Sequence, residues 1–191
     1  FDSLIKFTPG REITVNAVGV NLVGGASTQL VSRDGLEKIF TVDLYEYNCD
    51  TYKLLLQNLT LSGGMDIING TVLLESVLVT GLDTAGITVS GQDTQLLALN
   101  TLFYNNNVQN TVSKAQKFRP EATEGYVLEV LNGASVALVN STVVDSGGIY
   151  FDNGGLSDRR TAPMMFLNSV IVADIDDGNG FGGKLIADFS Y

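Results

Sequence analysis

The chain has 191 residues, 45% hydrophobic and 17% charged, with 21 acidic against 11 basic side chains, a net charge of −10 and no histidine. The apolar fraction excludes a disordered chain. The acidic balance speaks against a nucleic-acid backbone as partner, and the missing histidine removes Ser-His-Asp and Cys-His triads and the usual zinc sites. The length suits one domain over residues 1–191. No apolar run approaches the roughly 18 residues of a spanning helix, so no membrane insertion is expected. Cys49 is alone and cannot form an intrachain disulfide. Phe1 in the first position suggests a processed segment of a longer protein.

In chain order, Ile13-Thr14-Val15 opens a series of short apolar blocks. Ser32 to Ile39 is the best helix candidate, with Asp34 placed to cap it. The stretch Arg33 to Cys49 interrupts the pattern and suggests a cap on one end of the fold. Leu54-Leu55-Leu56, Val72-Leu73-Leu74 and Ser76-Val77-Leu78-Val79 follow as strands, bounded by Gly, Asn and Asp. A polar insertion is expected at about 105–125, with a weak helix over Ser113 to Phe118, and a second insertion at 153–163. Val136-Ala137-Leu138-Val139 and Met164-Met165-Phe166-Leu167 complete the strand blocks. Gly182-Gly183-Lys184-Leu185-Ile186-Ala187 reads as one further strand, which favours continuation or assembly of the stack.

A degenerate repeat runs through these blocks: a few apolar residues, then Asn, then a small or hydroxyl residue, then another apolar run. The markers are Asn58, Asn100, Asn140 and Asn168, with Glu75 standing in for Asn in the second copy. Their spacings are 17, 25, 40 and 28 residues. The two insertions account for the long gaps, while the gap of 17 requires either a compact copy or a different frame.

The segment from Gly133 to Tyr150, with Val139-Asn140-Ser141-Thr142-Val143-Val144 at its centre, resembles the right-handed parallel β-helix of the pectin-lyase-like superfamily. The closest likeness is to repeats of autotransporter passengers and polymorphic outer-membrane proteins, and it extends loosely over residues 54–172. The resemblance implies an all-β, single-stranded right-handed parallel β-helix, a solenoid with short loop insertions. In such a stack the marker Asn would take the left-handed turn conformation and form an inward ladder of side-chain amides. Asn58, Asn69 and Asn140 also begin N-glycosylation sequons. An inward amide could not carry a glycan, so Asn69, beside Gly70, is the preferred acceptor.

Members of this superfamily often act on acidic polysaccharides. Its hydrolases pair clustered aspartates with a histidine, which this chain lacks. Gly91-Gln92-Asp93-Thr94-Gln95-Leu96 is similar to a methylesterase element, but its companions are missing, and Asp93 reads as a turn acid. A lyase needs only a base and commonly a Ca²⁺ ion to neutralise the substrate carboxylate. Arg119, Lys117 and Arg159, with Lys114 and Arg160, are the candidate bases in the insertions. Asp174, Asp176 and Asp177 bunch the oxygens that Ca²⁺ takes, and no other cofactor is expected. Tyr45, Tyr47 and Tyr52 cluster near Cys49 and could pack a cap or stack sugars.

The expectation is therefore a non-catalytic structural or adhesive segment of an extracellular or cell-surface protein, with protein partners or self-assembly. The alternatives are a lyase-like or carbohydrate-binding module for acidic polysaccharide, and a trimeric spike. An apolar strip on the outer surface would favour assembly, while converging carboxylates with one Lys or Arg would favour chemistry.

Overall fold

Alternating apolar residues in blocks too short for helices build an all-β protein: the described residues hold twenty strands and no helix. A computed structural model describes residues 4–7, 13–15, 19–25, 27–32, 38–43, 54–82, 86–106, 126–152, 164–176 and 182–188.

Strands pair in parallel with the third strand before and the third after, so the chain returns to the same three columns; at the C-terminal end the strand Val170–Asp176 joins two of these columns, pairing with one through Val170–Ile171 and with the next through Ile175–Asp176. The first column stacks β3 (Val20–Val23), β6 (Leu54–Gln57), β9 (Thr71–Glu75), β12 (Gln95–Leu99), β15 (Ser135–Val139) and β18 (Met164–Leu167). The second stacks β1 (Leu4–Phe7), β4 (Gln29–Ser32), β7 (Thr60–Ser62), β10 (Leu78–Thr80), β13 (Leu102–Asn106), β16 (Thr142–Ser146) and β19 (Val170–Asp176). The third stacks β2 (Ile13–Val15), β5 (Lys38–Val42), β8 (Gly64–Ile67), β11 (Ile87–Ser90), β14 (Tyr126–Leu131) and β17 (Gly148–Asp152). This pattern is consistent with a parallel β-helix.

Period-2 alternation turns each strand into one inner and one outer row. The inner rows of all three columns meet in a single core. Leu54, Val72, Leu96 and Val136 share one inner row of the first column, and Leu56, Leu74, Ala98 and Leu138 share the next. Leu61, Val79, Phe103, Val143 and Ile171 line the second column, and Met65, Ile87, Leu128 and Ile149 the third. Each such side chain contributes about 1.5–3 kcal/mol on burial. The circuit that holds the small Ala98 also holds the large Phe103, so volume is traded between facing columns.

The corners explain the repeat and correct its frame. Asn58, Ser76, Asn100, Asn140 and Asn168 all have positive φ, between 48° and 55°. Register aligns Gln57, Glu75, Leu99, Val139 and Leu167, so Ser76 rather than Glu75 occupies the marker position. The short gap is also a compact circuit, because Gly63 alone joins β7 to β8.

The marker amides form no inward ladder. Asn58, Asn100, Asn140 and Asn168 are exposed, and Asn168 Nδ2 donates to Asn140 Oδ1 at 2.6 Å on the outside. In the αL turn it is the next residue that points inward. Thr101, Ser141 and Ser169 are buried there as a hydroxyl ladder. Ser141 Oγ accepts from Thr101 N–H at 3.1 Å and donates to the Ala98 carbonyl at 3.2 Å, and Ser169 Oγ repeats this with Ser141 N–H and the Leu138 carbonyl. In the two earlier circuits the position is apolar, Leu59 and Val77.

The corner after the second column does hold an inward amide. Asn106 is fully buried; its Nδ2 donates to the Val79 carbonyl and Ser146 Oγ, and its Oδ1 accepts from Leu82 N–H. Gly81, Asn105 and Asp145 supply the positive φ at that corner. Asn105 and Asn106 thus belong to the sheet rather than to an insertion; residues 107–125 and 153–163 lie outside the described residues.

Three further expectations change. Ser32 ends β4 and Lys38–Ile39 begin β5, so these parts of the expected helix are strand, while 33–37 lie outside the described residues. Lys38–Val42 continues the third column between β2 and β8 instead of interrupting the repeat. The C-terminal block is a strand, β20 (Gly182–Asp188), but it runs antiparallel to β19 along its whole length, from Val170↔Asp188 to Asp176↔Gly182. It folds back over the free edge of β19 and adds no further parallel layer there.

Candidate functional site on the outer face of the third column

Stacking brings residues far apart in sequence onto one outer row of the third column: Thr41, Asp66, Thr88, Glu129 and Tyr150. Lys38, at the start of β5, forms an ion pair with Asp66. It reaches over Gly64, its register partner, where no side chain stands in the way. Thr88 Oγ1 lies 3.5 Å from Glu129 Oε2. One strand, β11, lies between Asp66 and Glu129, which places their backbones two strand spacings, about 9–10 Å, apart.

Glu129 is half-buried on this face, and burial is the main reason its carboxyl is raised above its ordinary value of 4.5. The Lys38 charge and the Thr88 hydroxyl oppose that rise, and the Asp66 charge adds to it. Tyr150 is the register partner of Glu129, and its ring packs against that of Tyr126, with centroids 5.1 Å apart and a tilt of 34°. A β-bulge between Tyr126 and Leu128 sets Tyr126 on the outer face. Gly86 sits under that bulge because a Cβ there would come within 2.8 Å of the Val127 carbonyl oxygen. The face therefore combines a carboxyl made easier to protonate, an ion-paired carboxylate, a hydroxyl and two phenols.

None of these side chains is singled out by sequence motif. Asp66, Thr88 and Glu129 meet only through register. The one local signal is their outward position within apolar strands, which sets Asp66 and Glu129 apart from turn acids. Asp93 does sit in an exposed turn, where Thr94 Oγ1 ties the corner to the Ile68 carbonyl at 2.9 Å.

The other expected site residues do not join this face. Lys114, Lys117, Arg119, Arg159, Arg160 and Asp177 lie outside the described residues, as do Tyr45, Tyr47, Cys49 and Tyr52. Asp174 and Asp176 lie on β19, two apart on one extended strand, and pair in register with Lys184 and Gly182 of β20. Among the described residues no three acidic or sulfur side chains are grouped to share a metal ion. Of the sequon asparagines, Asn58 and Asn140 are exposed, and Asn69 is half-buried with its Nδ2 donating to Asp43 Oδ1 at 2.7 Å. The outward turn of Asn140 removes the steric argument that favoured Asn69 over it.

The outer faces of the first two columns differ sharply. In the first, Leu55, Leu73, Leu97, Ala137 and Met165 form one row, and Val23, Gln57, Glu75, Leu99, Val139 and Leu167 form another. Gln57 Nε2 donates to Glu75 Oε2 at 3.0 Å. In the second column, Leu78, Leu102, Thr142 and Val170 align, beside Thr80, Tyr104 and Val144. Met165, Leu167, Tyr104, Leu102 and Val170 are exposed, Met165 at 53%. From β12 onward, neither face carries a charged side chain on its described strand residues up to Val172, apart from Asp145 at the corner. Comparison of the chain with family models, curated proteins and solved structures finds no match.

Proposed function

We propose that this chain is a right-handed parallel β-helix of the pectin-lyase-like kind, acting as a structural or adhesive scaffold within a secreted or cell-surface protein. The observation that carries this reading is the return of every third strand, from β1 through β18, to the same column around one apolar core. Such a stack is stiff along its axis, because each circuit is held by the one before and the one after. Circular dichroism and chemical denaturation of the purified chain test it: a β-rich spectrum with one cooperative unfolding transition is expected, and a helical or non-cooperative profile would refute it.

A second reading, a carbohydrate-binding face, draws support from the third column, where Asp66, Thr88 and Glu129 share one row and Tyr126 packs on Tyr150 at its end. Two acids against one lysine disfavour an acidic polymer and favour a neutral glycan. Calorimetric titration with neutral and uronate oligosaccharides tests this reading. Binding of the neutral set, lost in Tyr126→Ala, is expected; tighter binding of uronates overturns it.

A further inference from the structure

The outer row of the third column has an order of its own. From β5 to β17 it reads Thr41, Asp66, Thr88, Glu129 and Tyr150, so hydroxyls and carboxylates take alternate strands. Thr14 adds one more hydroxyl at the β2 end. We infer that this row binds an extended, neutral β-1,4-linked glycan laid along the stack, with one sugar over each strand. The inference rests on the carbohydrate-binding reading and names the linkage which that reading leaves open.

Spacing supports it first. Neighbouring strands stand about 4.8 Å apart, close to the ~5 Å by which one sugar advances an extended β-1,4-linked chain. In such a chain each ring is turned over relative to the last, so the same edge faces one way only at every second sugar. Asp66 and Glu129 lie two strand spacings apart, about 9–10 Å, which matches that repeat. Chains with α-1,4 or β-1,3 linkages wind, and leave a straight row after a few sugars.

Chemistry supports it next. A carboxylate accepts through two oxygens and suits the paired 2- and 3-hydroxyls on one edge of a pyranose. The opposite edge carries a single hydroxymethyl group, for which one threonine hydroxyl is enough. Asp66 uses Oδ1 for Lys38, and Glu129 uses Oε2 for Thr88, so each acid is held in place with a second oxygen to offer. Lys38 also offsets the charge of Asp66, which suits a neutral chain. Tyr150 is buried against Tyr126, so the row ends in an aromatic step on which the last sugar can rest.

Calorimetric titration of the full chain with β-1,4-linked gluco-oligosaccharides of two to six sugars tests this, with α-1,4- and β-1,3-linked hexasaccharides alongside. Affinity is expected to rise with length and to level off by the pentasaccharide, which fills the row from Thr14 to Glu129. Thr88→Glu combined with Glu129→Thr keeps the composition but sets the two acids on adjacent strands. That variant should keep the far-UV circular dichroism of the parent and lose about tenfold in affinity, the weight of one charged hydrogen bond. Asp66→Ser, which removes the other acid, should lose as much. Equal affinity for either wound hexasaccharide, or parent-like binding by either variant, would overturn the inference and leave the carbohydrate-binding reading intact. If none of the neutral sugars binds, the carbohydrate-binding reading itself falls, and this inference with it.

Discussion

The third column and the first two share one backbone plan and one core, yet their outer faces have almost nothing in common. The third carries Lys38, Asp66, Thr88, Glu129 and Tyr126; the others, from β12 onward, carry Leu, Val, Ala, Met and Tyr. The lesson is that parallel stacking turns every outward position into a row, so the residues of one row are chosen together. The inward positions serve all three columns alike, and specificity is written on the outside.

The largest expected effect tests whether the two faces rest on one core. Leu74→Ala opens a cavity in the fully buried inner row and should cost about 2–5 kcal/mol. Chemical denaturation followed by tyrosine fluorescence and by circular dichroism should show one shared transition; two transitions would mean that parts of the stack unfold separately. Next is the corner amide. Asn106→Leu strands the Leu82 N–H and the Val79 carbonyl, at roughly 1–3 kcal/mol for each buried partner. Asn106→Asp keeps the acceptor for Leu82 but buries an ionisable carboxyl against the Val79 carbonyl, so its melting temperature should fall at least as far as that of the leucine variant at neutral pH and recover in acid as the carboxyl is protonated.

A smaller effect comes from the ridge that divides the apolar faces. Asn100 holds φ at 49°. Asn100→Val should cost about 1–2 kcal/mol for a β-branched residue in the left-handed region, and Asn100→Gly should cost far less. Equal losses would show that the side chain, rather than the backbone conformation, matters there.

The smallest effect is confined to the charged face. In the folded state Glu129 holds its proton to higher pH than in the unfolded chain. Its contribution favours the fold below pH 4.5 and is lost as pH rises through the raised folded value. Glu129→Gln should therefore flatten the pH dependence of stability above that point and leave the more acidic region unchanged. Lys38→Met should steepen it, at a cost of about 0.5–1 kcal/mol for a part-exposed pair.

The repeat, the strands and the αL corners were legible because they are local: Asn before a hydroxyl announces the turn within two residues. Which residue of that pair points inward was not legible, since the answer depends on the turn's own geometry; Thr101 and Ser141 face the core while Asn100 and Asn140 face out. The outer site was hidden for a different reason. Asp66 and Glu129 are neighbours only after the lengths of two circuits are known, and those circuits differ by whole loops. The direction of β20 was equally hidden, because a reversed strand and a parallel one share the same alternation.

The compact circuit from Leu54 to Ile67 bears on how the protein is made. Its three strands are joined by Asn58–Leu59 and by Gly63, so its ends close over the shortest length of chain. Closure entropy is least there, and a stack that grows by nearest-neighbour addition can start from any circuit. Folding should begin at this point and spread outward in both directions, leaving the circuit of β12 to β14, with its long excursion before Tyr126, to join late. Destabilising Leu61 should then slow folding, while destabilising Val130 should mainly hasten unfolding.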